Sequence, residues 1–179
     1  MIIVYEKITS LADINFDYLF SRSYDHLDGN FPWPDSVIGF FEKQNFYRSY
    51  LELAINGTRP VNATNDTFIM FKTIVDDEDL EFTAGYIDEN GCFSIGWYLA
   101  ARGPMNSRNW IYSPEAKIAR NALFLDNGIL TQKILTDKNS SLYRMFKLRA
   151  NAGVCTIFDE YPSVEGDNPK NLVTLIVQM

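Results

Sequence analysis

Residues 134–154, ILTDKNSSLYRMFKLRANAGV, hold the key to the fold. Ile134, Leu135 and Thr136 close an aliphatic and β-branched run, ILTQKILT from 129 to 136, which reads as a strand. Asp137, Lys138 and Asn139 stop it. Ser140 or Ser141 then offers a hydroxyl to the free N–H groups of a first helical turn, and an amphipathic helix follows to about Asn151, ahead of Gly153. A strand that hands an Asn to a helix carrying Tyr143 and Phe146 is the feature that organises the rest.

Working outward, IIVYEKI (2–8) reads as a strand, and Ser10 and Asp13 offer helix starts before NFDYLFSRSYDHL, whose Phe16, Leu19, Phe20 and Leu27 supply an apolar face. Gly29, Pro32 and Pro34 interrupt the chain, and Asp35 or Ser36 can cap a long helix to about Ile55. Its face is expected to hold Val37, Phe40, Phe41, Tyr47, Leu51, Ala54 and Ile55, and Asn56-Gly57 closes it. FIMFKTIV (68–75) is apolar on both faces, as a strand inside a sheet is. The acidic turn DDEDLE leads to FTAGYI (82–87), and Asp88-Glu89-Asn90-Gly91 turns the chain into CFSIGWYLA (92–100), a hairpin. Within that return strand Trp97 alternates with Ile95 and Leu99, which places it in the core. Ser113-Pro114-Glu115 opens a helix to about Asp126 before Asn127-Gly128, and VCTIFDEY and NLVTLIVQM are two final strands.

The 179 residues fit one domain, 1–179, able to bury roughly 70% of its unfolded surface. A net charge of −7 lacks the clustered cations that nucleic acid requires, so no nucleic-acid partner is expected. No run approaches the roughly 20 apolar residues of a membrane span, and the N-terminus does not read as a signal peptide. Cys92 and Cys155 sit in apolar runs far apart and read as buried free thiols, pointing to a reducing cytoplasm. One histidine and two distant cysteines give no ligand spacing, so no metal is expected. The acidic run from Asp76 to Asp79 lacks a calcium loop's alternation and reads as a solvated turn. Hydrolase elbows, dinucleotide fingerprints and phosphate-loop motifs are all missing.

The order strand, two helices, three strands, helix, strand, helix, two strands resembles the GCN5-related N-acetyltransferase (GNAT) superfamily. In that family the corresponding corner reads Asn, then Ala, then Leu-Tyr, then Gly-Phe after the helix. Here Asn139 stands in the Asn place, Leu142 in the Ala place, Met145 in the Leu place and Phe146 in the Tyr place, with Gly153-Val154 resembling Gly-Phe. The Gly85 strand followed by SIGWYLA is similar to the family's central hairpin. The resemblance implies an α/β (α+β) fold: a mixed, mostly antiparallel seven-stranded sheet flanked by about four helices. It implies an acyl-CoA-dependent N-acyltransferase, with acetyl-CoA or another acyl-CoA threaded beside Trp97, Tyr98 and Leu99 and touching Asn139. The acceptor would be a small-molecule amine or a protein amino group. Homodimerisation stays open.

Two departures carry their own expectations. Where the family has a glycine-rich pyrophosphate loop, RGPMNSRNWIYSPEA has only Gly103; Arg102, Ser107, Arg108 and Asn109 would then bind phosphates through side chains. Phe146 cannot protonate a leaving thiolate, and Tyr143, about one turn earlier, would substitute. Phe31 and Trp33, between the first two helices, would border the acceptor, and His26, flanked by Asp25 and Asp28, is a candidate base or substrate contact. The competing expectation is a non-catalytic relative that keeps the fold and binds a ligand or a partner protein.

Overall fold

The structure is a computed structural model and is described for residues 2–27, 39–58, 66–101, 113–162 and 172–178. The strands are β1 (Ile3–Ile8), β2 (Thr67–Val75), β3 (Glu78–Ile87), β4 (Cys92–Ala100), β5 (Thr131–Asp137), β6 (Thr156–Pro162) and β7 (Leu172–Gln178). The helices are α1 (Phe16–Leu27), α2 (Phe40–Ile55), α3 (Pro114–Asp126) and α4 (Ser141–Asn151). The strands form one seven-stranded sheet in the order β1-β2-β3-β4-β5-β7-β6. Every neighbouring pair is antiparallel except β4 and β5. The expected mixed, mostly antiparallel sheet with four helices is the fold observed.

Helices α1 and α2 cover one face of β1–β4, α3 covers the other, and α4 lies over β5, β6 and β7. On α1 the buried positions Phe16, Leu19, Phe20 and Ser23 fall at i, i+3, i+4 and i+7, one stripe of a 3.6-residue helix. They meet Tyr47, Leu51 and Ala54 of α2, and Met70, Phe82, Ala84, Trp97 and Leu99 of the sheet. Across the sheet Ile69, Phe71, Phe93 and Ile129 pack under Leu123 and Phe124 of α3, and Phe146 of α4 packs on Leu175 and Val177 of β7.

Several boundaries differ from the sequence reading for physical reasons. Helix α2 begins at Phe40 with Gly39 as a cap that makes no side-chain hydrogen bond; Asp35, Ser36 and Val37 lie outside the described residues. Phe41 is 73% exposed and takes no part in the core, because it falls on the outer side of the helix from Tyr47 and Leu51. Of the acidic stretch only Asp76 and Asp77 form the turn. Both take positive φ (49° and 69°), and strand β3 starts at once with Glu78 opposite Val75. Positive φ at both central residues is the geometry whose twist suits a two-residue hairpin, and Asp tolerates it. Cys92 and Cys155 are free thiols, Cys155 buried and Cys92 half-buried. Among the described residues no helix is long and apolar enough to cross a membrane.

Candidate functional site

The site follows from one residue, Gly96. Strand β4 pairs with β3 as Gly85↔Ile95 and then Ala84↔Trp97, so Gly96 is an extra residue, a β-bulge. The bulge resets the alternation. Phe93 and Ile95 face α3, and beyond Gly96 it is Tyr98 that faces α3 while Trp97 and Leu99 turn to α1 and α2. Ile95 is accordingly 42% exposed, whereas Leu99 is fully buried, so the expected Ile95–Trp97–Leu99 row does not exist. A glycine inside a strand was the available signal for this break.

Beyond the bulge, β4 and β5 part. Their parallel pairing is confined to Cys92↔Thr131, Phe93↔Gln132 and Ser94↔Lys133, while β4 continues to Ala100 and β5 to Asp137. Strand β5 stays bonded to β7 over that length, so the opening lies between β4 and β5 alone. Ala101 N–H donates to Leu80 O at 2.8 Å, which fixes the alternation of β4: Ala100 and Tyr98 turn their main-chain groups away from β3, toward the gap. Ser23 of α1 occupies the upper of these positions. Its hydroxyl accepts from Ala100 N–H and donates to Ala100 O, both at 2.8 Å. Trp97 is 5% exposed, packed against Tyr50, Phe68 and Tyr86, and its Nε1–H has no hydrogen-bond partner among the described residues.

Across the gap, Thr136 and Ser140 hydroxyls lie 2.8 Å apart, and Ser140 caps α4 by accepting from Tyr143 N–H at 3.1 Å. Asn139 is exposed at this corner, its N–H donating to Asp137 Oδ1 at 2.6 Å. Helix α3 starts with Ser113 accepting from Ala116 N–H at 3.1 Å, with Pro114 in its first turn. A proline carries no N–H and the serine takes another, so few main-chain donors remain there for an anion.

The predicted residues fall into four groups. Trp97, Tyr98, Leu99 and Asn139 belong to the elements that border the gap. Tyr143 does not turn toward it: its hydroxyl donates to Glu160 Oε1 at 2.7 Å on β6, and Lys147 donates to the other oxygen of the same carboxylate. Strand β6 stands two places beyond β5, roughly 10 Å away in the sheet. Those two hydrogen bonds hold the Glu160 carboxyl below the ordinary range, Lys147 first, and the Glu160 contact raises the Tyr143 hydroxyl. His26 lies in the last turn of α1. Phe31, Trp33, Arg102, Ser107, Arg108 and Asn109 lie outside the described residues.

Sequence reasoning missed Glu81. This half-buried carboxyl on β3 accepts from Thr73 Oγ1 at 3.1 Å and from the Tyr98 hydroxyl, with Tyr5 and Arg120 near it. Burial raises its pKa above the ordinary 4.5, against the lowering effects of Thr73, Arg120 and Tyr98. The same burial, with Glu81 beside it, pushes Tyr5 up to about 12. A carboxyl whose folded pKa is raised supports folding fully below its unfolded pKa, and that support is lost as pH rises through the folded value. Glu81→Gln is therefore expected to leave the melting temperature near that of the native chain at about pH 4 and to raise it at about pH 8. Thermal melts of both proteins at the two pH values check the sign.

No protein-family model matches the chain, and no curated sequence does. Solved structures do. A probable GNAT-family acetyltransferase from Chromobacterium violaceum superposes with a TM-score of 0.58 at 13% identity over 100% of this chain and 87% of that one. The PaiA N-acetyltransferase of Thermoplasma acidophilum, solved with coenzyme A, gives 0.54 at 11% identity over 99% of both chains. RimL, a ribosomal L7/L12 α-N-protein acetyltransferase in complex with coenzyme A, gives 0.55 at 14% identity over 98% and 94%. With its bulged β4 parting from β5 across a seven-stranded sheet, the chain has the fold of the GNAT acetyltransferases.

Proposed function

We propose that the protein is an acyl-CoA-dependent N-acyltransferase acting on a small-molecule amine or a protein amino group. The observation that carries this reading is the gap between β4 and β5, along which β4 runs on to Ala100 with no strand on that side among the described residues. A slot between two parting strands can take an extended, amide-bearing arm lengthwise. Solved neighbours that hold coenzyme A support the same reading. When bound, an acyl-CoA supplies an activated thioester carbonyl.

The residues fit this group at the arm and differ at the phosphates. Tyr98 lies on the stretch of β4 that borders the gap, Trp97 and Leu99 fix β4 against the α1–α2 layer, and Asn139 stands at the mouth on the α4 side. With Pro114 and the Ser113 cap limiting the N-terminus of α3, the pyrophosphate falls to the side chains of Arg102, Ser107, Arg108 and Asn109. Phe31 and Trp33 are assigned to the acceptor side, as the resemblance implies, and His26, beside Asp25 and Asp28 in sequence, is assigned there as a candidate base or substrate contact.

The experiment is a thermal melt with acetyl-CoA, with adenosine diphosphate as control. Ligand at 100 times its Kd adds about 2.7 kcal/mol of apparent stability, several degrees in Tm for a chain of this size. The expected shift occurs with acetyl-CoA and is reduced in an Arg102→Ala/Arg108→Ala double variant. No shift at saturating acetyl-CoA would leave the non-catalytic binding module as the better reading.

A further inference from the structure

The stretch of β4 that borders the gap is already bonded, and to side chains rather than to a strand. Tyr98 and Ala100 turn their main-chain groups to the side from which β5 has parted. Two hydroxyls of the α1–α2 layer stand there instead. Ser23 of α1 accepts from Ala100 N–H and donates to Ala100 O, both at 2.8 Å, as a neighbouring strand would. The main-chain N–H of Tyr98 donates to the Tyr47 hydroxyl of α2. Neither hydroxyl belongs to a surface side chain: Ser23 is 3% exposed and Tyr47 1%.

Ser23 lies on the same buried stripe of α1 as Phe16, Leu19 and Phe20, where a hydroxyl is tolerated because it has partners. The Tyr47 ring packs on Phe16 at 6.0 Å and on Phe20 at 5.7 Å. Both hydroxyls therefore belong to one packed body, and from it they close the edge of β4. While the gap is empty this is favourable, because buried main-chain groups without partners are costly. An amide-bearing arm lying along the slot would bond to the same groups. A main-chain N–H is a single donor, so the arm and the hydroxyls compete for it. Ser23 can give way by turning its hydroxyl to a carbonyl one turn back on its own helix. Tyr47, held between two phenylalanines, releases Tyr98 when β4 and the α1–α2 layer draw apart.

We infer that Ser23 and Tyr47 form a latch on the gap: their hydroxyls hold the β4 main chain that an acyl-CoA arm would bond, so the empty protein rests in a low-affinity state. The inference rests on the N-acyltransferase reading. Free energy that stabilises the closed edge opposes binding, and removing it returns that free energy to the ligand. Loss of either hydroxyl thus acts in opposite senses, loosening the free chain and tightening the complex. A residue that only packs would do the first alone.

Coenzyme A is titrated calorimetrically into the native chain, Ser23→Ala and Tyr47→Phe. Each substitution removes one hydroxyl and leaves the rest of the side chain in place. Each variant is expected to bind about five- to tenfold more tightly than the native chain, the net worth of one hydrogen bond. Without coenzyme A, amide exchange is expected to quicken at Ala100 in Ser23→Ala and at Tyr98 in Tyr47→Phe, and saturating coenzyme A is expected to slow both again. An affinity equal to or below the native value in either variant overturns the latch, while the N-acyltransferase reading stands because coenzyme A is still bound. Binding by the variants and not by the native chain supports both. If none of the three binds coenzyme A, the N-acyltransferase reading fails and the latch fails with it.

Discussion

Gly85→Ala is expected to destabilise the protein by about 3 kcal/mol, at the upper end of what overpacking costs in a well-filled interior. A Cβ on Gly85 would lie 2.0 Å from Ser94 O, 2.9 Å from Ser94 C and 3.0 Å from a ring carbon of Phe93. The first two are main-chain atoms of the neighbouring strand, at the point where β4 begins its bulge, and cannot swing aside as a side-chain end could. Relief requires β3 and β4 to separate, which breaks the ladder that shapes the gap. For a chain of this length the change corresponds to roughly 6–12 °C in Tm. Gly96→Ala is the matched control. A Cβ there meets nothing within 4 Å, so its expected cost is the ordinary surface value of about 0.5 kcal/mol. Paired thermal melts separate the two glycines: equal effects would mean that the close approach at Gly85 does not control the strand pair.

Most of this architecture is legible in the sequence because its punctuation is local. Ser113-Pro114, Ser140, Asn56-Gly57 and Asp88–Gly91 are capping and turn signals that act over a few residues. The helices end or turn where those signals put them, with Gly57 and Gly91 at φ of 80° and 75°. Part of the strand order is also recoverable, since short turns make β2, β3 and β4 consecutive antiparallel neighbours. What local pattern cannot carry is phase and long-range pairing. Alternation along SIGWYLA predicts one face for Ile95, Trp97 and Leu99, but one bulged glycine moves Trp97 and Leu99 to the other. Glu81 looks like part of a solvated acidic turn, and only its pairing with Thr73 places it in a half-buried polar row. Tyr143 reads as a candidate acid from its helix position, while its partner Glu160 comes from a strand seventeen residues on. Such contacts depend on which strands become neighbours, and sequence spacing does not contain that.

Phe93→Ala is expected to cost about 4 kcal/mol, within the range for removing a large aromatic side chain from a core that cannot collapse around the void. Phe93 is fully buried, and its ring meets Phe71 edge-on at 5.9 Å and Phe124 at 6.0 Å, joining β2, β4 and α3. It also stands opposite Gln132 in the middle of the three residue pairs that hold β4 to β5. Truncation therefore has two separable effects. The loss of burial lowers global stability, which chemical denaturation reads, and Phe93→Leu is expected to recover more than half of it because most of the volume returns. The loss of the ring also loosens the joint from which the two strands diverge, and faster amide exchange at Thr131–Lys133 than at the β5–β7 pairs beyond it would report that. A destabilised variant whose exchange rises evenly over β5 would mean that Phe93 serves the core alone. A rise confined to the joint would mean that the same ring sets how rigidly the gap is held open.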